Sequence, residues 1–169
     1  ADVKIPVKGG DMPGYFAAPK AAGRRAVVIV IPEVFGMHEY QKNMCRRLAK
    51  AGYFAVSFDP FFRMGDLARM TDIQQVVGLA NSLEDAQMLG DMDSVVDWVE
   101  KQKKANGAKI GLTGMCRGGR SVWMFTAHSK KVKAAVSWYG GLNPMPPAMT
   151  QTPMDVIDQL NAPVLGLYG

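Results

Sequence analysis

The chain is poor in cysteine and histidine: its 169 residues include two of each, Cys45 and Cys116, His38 and His128. Two cysteines cannot build a disulfide framework. Neither histidine lies at ligand spacing from them, so a two-plus-two metal site is not expected. No apolar run approaches the length of a membrane span. The stretch ADVKIPVKGG at the start carries no leader pattern. A cytoplasmic protein is therefore expected, with a periplasmic one as the alternative if an export signal has been removed. Basic residues outnumber acidic ones, 20 to 15, for a net charge of +5. They come in small groups: Arg24-Arg25, Arg46-Arg47, Lys101 with Lys103-Lys104, and Lys130-Lys131 with Lys133. No aromatic residues interleave with them, so they read as a solvated surface and no nucleic-acid partner is expected.

What is present is ordinary for a folded protein: 48% apolar and 21% charged residues. The length suits one domain, residues 1–169, and no repeat or linker divides it. VKIPV and GYFAAP read as short edge strands with Gly9-Gly10 between them. AVVIVIP (26–32) is a continuous β-branched run, as a strand buried on both faces requires. A helix follows over 40–52, with Met44, Leu48 and Ala51 on one face, Cys45 beside them and Gly52 as its stop. YFAVSFDP (53–60) is the next strand. FFRMGDLARMT is a loop, and DIQQVVGLANSL a short helix. A longer helix is expected from Asp85 to Lys104, apolar at Met88, Met92, Val95, Val96 and Val99, with Asn106-Gly107 ending it. KIGLTG, VKAAVSWYGG and APVLGLYG read as three more strands. A helix stands between the first two, and the proline-rich NPMPPAMTQTP, followed by a short MDVIDQL helix, between the last two. This alternation gives an α/β fold: a mostly parallel sheet with helices on both faces. Ligands in such sheets bind at the carboxyl ends of the strands, here the loops after Pro32, Leu112 and Trp138.

One of those loops carries a motif. GMCRGG sets Gly114, Gly118 and Gly119 around Cys116 between a strand and a helix, matching the G-x-S-x-G nucleophile elbow with sulfur in place of oxygen. The glycines suit a sharp turn in which a side chain would strike a neighbouring strand or helix. A helix N-terminus favours thiolate over thiol. The Arg117 N–H would point where an oxyanion forms, and the Val34 N–H, in the loop after the first long strand, is the expected second donor. A buried structural cysteine beside packing glycines is the plainer alternative. A phosphate loop is a weaker one, because the Lys-Ser/Thr ending is missing.

PEVFGMHEY, LAKAGYFAVSFDPFFRMGD, KIGLTGMCRGG, AAVSWYGG and LNAPVLGLYG, in this order, resemble the dienelactone hydrolases (carboxymethylenebutenolidases) of the α/β-hydrolase superfamily. The resemblance implies a three-layer α/β-hydrolase fold and hydrolysis of a small ester or lactone without a cofactor. It implies Cys116 as nucleophile and Glu33 as the carboxylate that contacts the resting thiol and helps convert it to thiolate. Val34 and Arg117 become oxyanion donors; Phe35, His38 and Tyr139 line the substrate pocket. Bottom-up, a shielded carboxylate can take a proton from a nearby thiol, although Glu33 could equally cap a helix or pair with a cation. Met115 and Arg117 stand where relatives usually carry aromatic or apolar residues, which bears on substrate preference. Arg63 and Arg69 could meet a substrate carboxylate, but exposed loop arginines are the default.

The chain offers no obvious base. His128 lies twelve residues along the helix that starts at Cys116, about 18 Å away. His38 is better placed, at the sheet's carboxyl edge. By the resemblance, the acid and histidine of the triad follow the strand that PVLGLYG matches, so the chain is expected to be C-terminally incomplete and inactive alone. A complementing C-terminal segment or a homodimer would then be its partner. A ligand-binding or interaction module of the same fold is the non-enzymatic alternative.

Overall fold

The computed structural model describes residues 1–144, 147–149 and 151–169. It opens with a hairpin, β1 (Asp2–Val7) and β2 (Gly10–Ala17), followed by β3 (Arg25–Ile31) and α1 (Glu39–Lys50). Next come β4 (Phe54–Phe58), α2 (Ile73–Ser82), α3 (Asp85–Glu100) and β5 (Ala105–Met115). The remaining elements are α4 (Arg117–His128), β6 (Val132–Trp138), α5 (Pro153–Val156) and β7 (Val164–Leu167). The strands form one sheet in the order β1-β2-β4-β3-β5-β6-β7. Strands β3 to β7 pair in parallel, and β1 and β2 join antiparallel at one side. This is an open, mostly parallel α/β sheet, as the alternation of elements predicts. No helix of the described residues is long and apolar enough to cross a membrane.

Alternation along β3 explains the two layers flanking the sheet. Val27, Ile29 and Ile31 point into the main core, with Phe54, Val56, Phe58, Met92, Val95, Val99, Val122 and Phe125. Each large side chain buried there stabilises the fold by roughly 1.5–3 kcal/mol. Val30 points the other way, against Ala55 and Cys45 under α1. That second layer is thin. Among the described residues only α1 covers it, and the β5–β6 face beyond Met44 and Leu48 forms an open apolar groove reaching Trp138. Leu165 on β7 is 56% exposed.

Five expectations need correction. β2 is not an edge strand, because β4 pairs with its free side. Helix α3 ends at Glu100, not Lys104, because Ala105 is fully buried and already pairs with Arg25 in β5. Asn106-Gly107 is therefore an irregularity within a strand: the Asn106 side chain accepts from Ala108 N–H at 3.1 Å, and the pairing shifts register there before Ile110 meets Val27. Strand β5 accordingly starts four residues before KIGLTG. On α1 the fully buried positions are Gln41 and Cys45, while Ala51 is exposed beyond the helix end. The proline-rich loop expectation includes residues 145, 146 and 150, which lie outside the described residues.

Candidate active site

Cys116 stands between β5 and α4 with φ 53° and ψ −120°, a conformation costly for a residue with a Cβ. Three close backbone approaches explain why its neighbours are glycines. A Cβ on Gly118 would overlap the carbonyl oxygens of Ile31 and Pro32. One on Gly119 would lie 2.7 Å from the Trp138 carbonyl oxygen, and one on Gly114 2.5 Å from that of Gly118. The first turn of α4 is thus pressed between the ends of β3 and β6. Cys116 N–H donates to the Trp138 carbonyl at 2.9 Å, which ties the elbow to β6. The residue is half-buried.

The contact with Ile31 and Pro32 brings the loop after β3 beside the elbow. Its Glu33–Gly36 turn closes through Gly36 N–H to the Glu33 carbonyl at 3.2 Å, with Gly36 at φ 73°. Neither Val34 N–H nor Arg117 N–H has an acceptor among the described residues. Beneath the turn lies Asp59, so close that a Cβ on Gly36 would fall 2.6 Å from its Oδ1. Burial raises the Asp59 carboxyl to about 6, and the Asp66 charge adds to this, against the bond from Phe61 N–H.

Glu33 is doubly held. Gln41 Nε2 donates to its Oε2 at 2.5 Å, and His38 Nε2 lies 2.7 Å from its Oε1. His38 also caps α1, its Nδ1 accepting from Tyr40 N–H at 3.4 Å. That cap assigns the ring proton to Nε2, which donates to Glu33. Among the described residues no hydrogen bond joins Glu33 to Cys116. Phe35 packs edge-on to His38, with ring centroids 6.3 Å apart.

Tyr139 completes the cluster after β6, at φ 39°. Its N–H donates to Leu167 O at 2.8 Å, and Tyr168 Oη donates to Gly140 O at 2.9 Å, so β7 fixes this turn. The Tyr139 phenol is raised by desolvation and by the nearby charges of Cys116, Glu33 and Tyr40. Tyr40 Oη donates to Met115 Sδ at 3.7 Å. The structure thus brings together Cys116, Glu33, Val34, Phe35, His38, Arg117 and Tyr139.

The Arg117 side chain turns away from this cluster. It is 3% exposed, bonded to Ser121 Oγ at 3.0 Å and Leu83 O at 3.3 Å. Its side chain is thus directed into the packing between α4 and Leu83, while its amide stays at the elbow. Burial lowers its guanidinium to about 10, helped by the Arg120 charge. Arg120, fully buried, forks onto Asp85 at 2.6 and 2.8 Å and donates to Gln151 O at 2.5 Å. Arg63 is committed elsewhere, to Asp91 at 2.8 and 2.9 Å and to Lys8 O. Arg69 is exposed and paired with Asp66. His128 ends α4, at 2.8 Å from Asp93, far from the elbow.

Sequence reasoning missed Gln41, Tyr40 and the Asp85–Arg120 pair. Gln41 had a signal: a polar residue one turn before Cys45 on the buried stripe of α1. The pair had none, since its partners are 35 residues apart.

Comparison with known proteins gives a consistent result. The model of the dienelactone hydrolase family matches residues 12–169. Proteins provisionally named carboxymethylenebutenolidases are similar over nearly the whole chain. That of Methylorubrum extorquens is 44% identical over 99% of this chain and 58% of its own length. That of Salmonella typhimurium is 44% identical over 98% and 62%. The chain thus spans about three-fifths of these curated relatives. The crystal structure of a provisionally named dienelactone hydrolase from Klebsiella pneumoniae superposes with a TM-score of 0.95 at 41% identity, covering all of this chain and 71% of that one.

Proposed function

Since the chain belongs to the dienelactone hydrolase family, we propose that it is the nucleophile-bearing part of a hydrolase for small lactones and esters. The observation that carries this reading is Cys116 at a positive-φ elbow, with the Arg117 amide next to it and the Val34 amide in the loop after β3 both without an acceptor among the described residues. In the reaction, Cys116 Sγ attacks the carbonyl carbon as thiolate. The Val34 and Arg117 N–H groups receive the negative charge that builds on the carbonyl oxygen. Collapse of the tetrahedral adduct breaks the ester C–O bond and leaves a thioester on Cys116. Water then hydrolyses the thioester, releases the acid and restores the thiol.

Glu33 acts by electrostatics and proton exchange at the sulfur once His38 and Gln41 release it. Phe35, His38 and Tyr139 line the entrance. Neither histidine is placed to drive deacylation: the one lone pair of the His38 ring, on Nδ1, is taken by Tyr40 N–H, and His128 stands at the opposite end of α4. The deacylating histidine and its acid accordingly belong to a complementing C-terminal segment, which would also cover the open groove beside α1. A homodimer covering that groove is the other outcome, read from sedimentation of the chain.

The test is phenol release from an aryl acetate. The chain alone should release it stoichiometrically and then stop, and Cys116→Ser should release none. Equal release by both would overturn the nucleophile assignment. Sustained turnover by the chain alone would overturn the assignment of deacylation to another segment. A ligand-binding module would release nothing.

A further inference from the structure

Gln41 is the third residue of α1, the position from which a glutamine side chain ordinarily accepts a hydrogen bond from the N-cap amide. Here it does not. It is fully buried, its Nε2 donates to Glu33 Oε2 at 2.5 Å, and among the described residues its Oε1 has no partner. An idle buried amide oxygen is costly. An apolar residue would fill this place on the buried stripe, one turn before Cys45, without that cost. Among the described residues one other buried side-chain oxygen lacks a partner, Ser57 Oγ on β4. It lies two residues beyond Ala55, which packs on Cys45, so strand alternation puts it on the face that α1 covers.

The surroundings of Glu33 give the idle oxygen a use. His38 Nε2 lies 2.7 Å from Glu33 Oε1 and Gln41 Nε2 2.5 Å from Oε2, so each oxygen faces a donor. That seat suits a carboxylate. A Glu33 O–H would meet an N–H on either side. His38 cannot turn acceptor, because its Nδ1 already accepts from Tyr40 N–H at 3.4 Å, which keeps the ring proton on Nε2. Gln41 can. A half-turn of its amide puts Oε1 where Nε2 stands, and Oε1 has no bond to lose. We propose that Gln41 is a positioning residue that seats Glu33 in both protonation states. Its Nε2 donates to the carboxylate; its Oε1, after the half-turn, accepts from the carboxylic acid formed when Glu33 takes the Cys116 proton. This rests on Cys116 being the nucleophile and Glu33 its proton partner. In that step the Cys116 S–H bond breaks, a Glu33 O–H bond forms, and the electron pair stays on sulfur. The acid then returns to its seat with one oxygen on His38 Nε2–H and its O–H on Gln41, and the α1 cap is undisturbed.

The test is the phenol burst from an aryl acetate on the whole chain, followed against ester concentration and pH, with Cys116→Ser as the blank. The acylation rate constant and the half-saturating concentration are read separately. Gln41→Lys supplies donors and no acceptor. It should slow acylation about tenfold or more at neutral pH, with half-saturation changed less than about twofold. Gln41→Glu presents a carbonyl and an O–H while it holds a proton. It should acylate near the wild-type rate at the acid end and lose that rate as the two carboxyls give up their shared proton, a fall the wild type lacks. His38, Tyr40, Tyr139 and Cys116, the other titratable groups of the cluster, are common to these variants, so the difference reports position 41. In a Glu33→Gln background neither substitution should slow acylation further. If the lysine variant folds poorly by circular dichroism, the glutamate profile decides. Unchanged rates in both variants would overturn the proposal. So would a loss that is equal at every pH and persists in the Glu33→Gln background, the mark of a packing role. A wild-type chain with no burst above the blank would sink the nucleophile reading and the proposal together. A Cys116-dependent burst indifferent to position 41 would sink the proposal alone.

Discussion

Cys45 and Cys116 carry the same side chain into opposite surroundings. Cys45 sits in the middle of α1, fully buried against Val30 and Ala55, with its Sγ 3.9 Å from the Tyr15 carbonyl. Burial there raises the thiol to about 12, and the positive charges of the N-terminus and Arg46 do not offset it. Cys116 is half-buried at a helix N-terminus, in a strained turn, next to the Arg117 amide, which has no acceptor among the described residues. In the proposed reaction, reactivity is a property of the backbone setting, not of the residue type. The first environment follows from apolar packing alone; the second needs glycines at 114, 118 and 119, so that three backbones can meet.

The largest effect should come from removing the proposed nucleophile of the pair. Cys116→Ala should cut esterase acylation by about 10³-fold or more with the fold retained, measured as phenol release, whereas Cys45→Ala should leave acylation unchanged. Next in size, Gly118→Ala should cost about 3 kcal/mol or more in urea unfolding, because the Ile31 and Pro32 carbonyls are main-chain atoms that cannot rotate aside. It attacks the elbow without touching the sulfur.

A pH effect isolates the turn that carries Val34. The folded-state value of Asp59, about 6, lies above its ordinary 3.8, so the folded form binds the proton more tightly than the unfolded chain. Stability should therefore fall as pH rises from about 4 to 6, by up to roughly 3 kcal/mol. Asp59→Asn should abolish that dependence and stabilise the protein at pH about 7, read from thermal melts across the range. The smallest effect belongs to Cys45→Ala, which removes one small buried group and should cost about 1 kcal/mol.

Much of this architecture could be read from residue order. Continuous apolar runs such as AVVIVIP and the helix between them fix the parallel layers, because only a sheet covered on both faces buries such strands. The spacing of Gly114, Gly118 and Gly119 locates the turn between β5 and α4. What could not be read depends on contacts remote in the chain. Asn106-Gly107 carries a helix-ending signal, yet Ala105 is claimed by Arg25 across the sheet. The direction of the Arg117 side chain is decided by Leu83 O, 34 residues away, and Glu33 is held by a glutamine that periodicity would leave apolar. Local pattern sets element types; side-chain destinations near the site are set by tertiary partners.

The most direct test of the account is to map the acyl group. The chain would be exposed briefly to an aryl acetate, quenched in acid, digested and read by mass spectrometry. The account predicts an acetyl thioester on Cys116, none on Cys45, and none anywhere in Cys116→Ser. Acetylation confined to lysines, shared equally between the two cysteines, or persisting in the serine variant would contradict it.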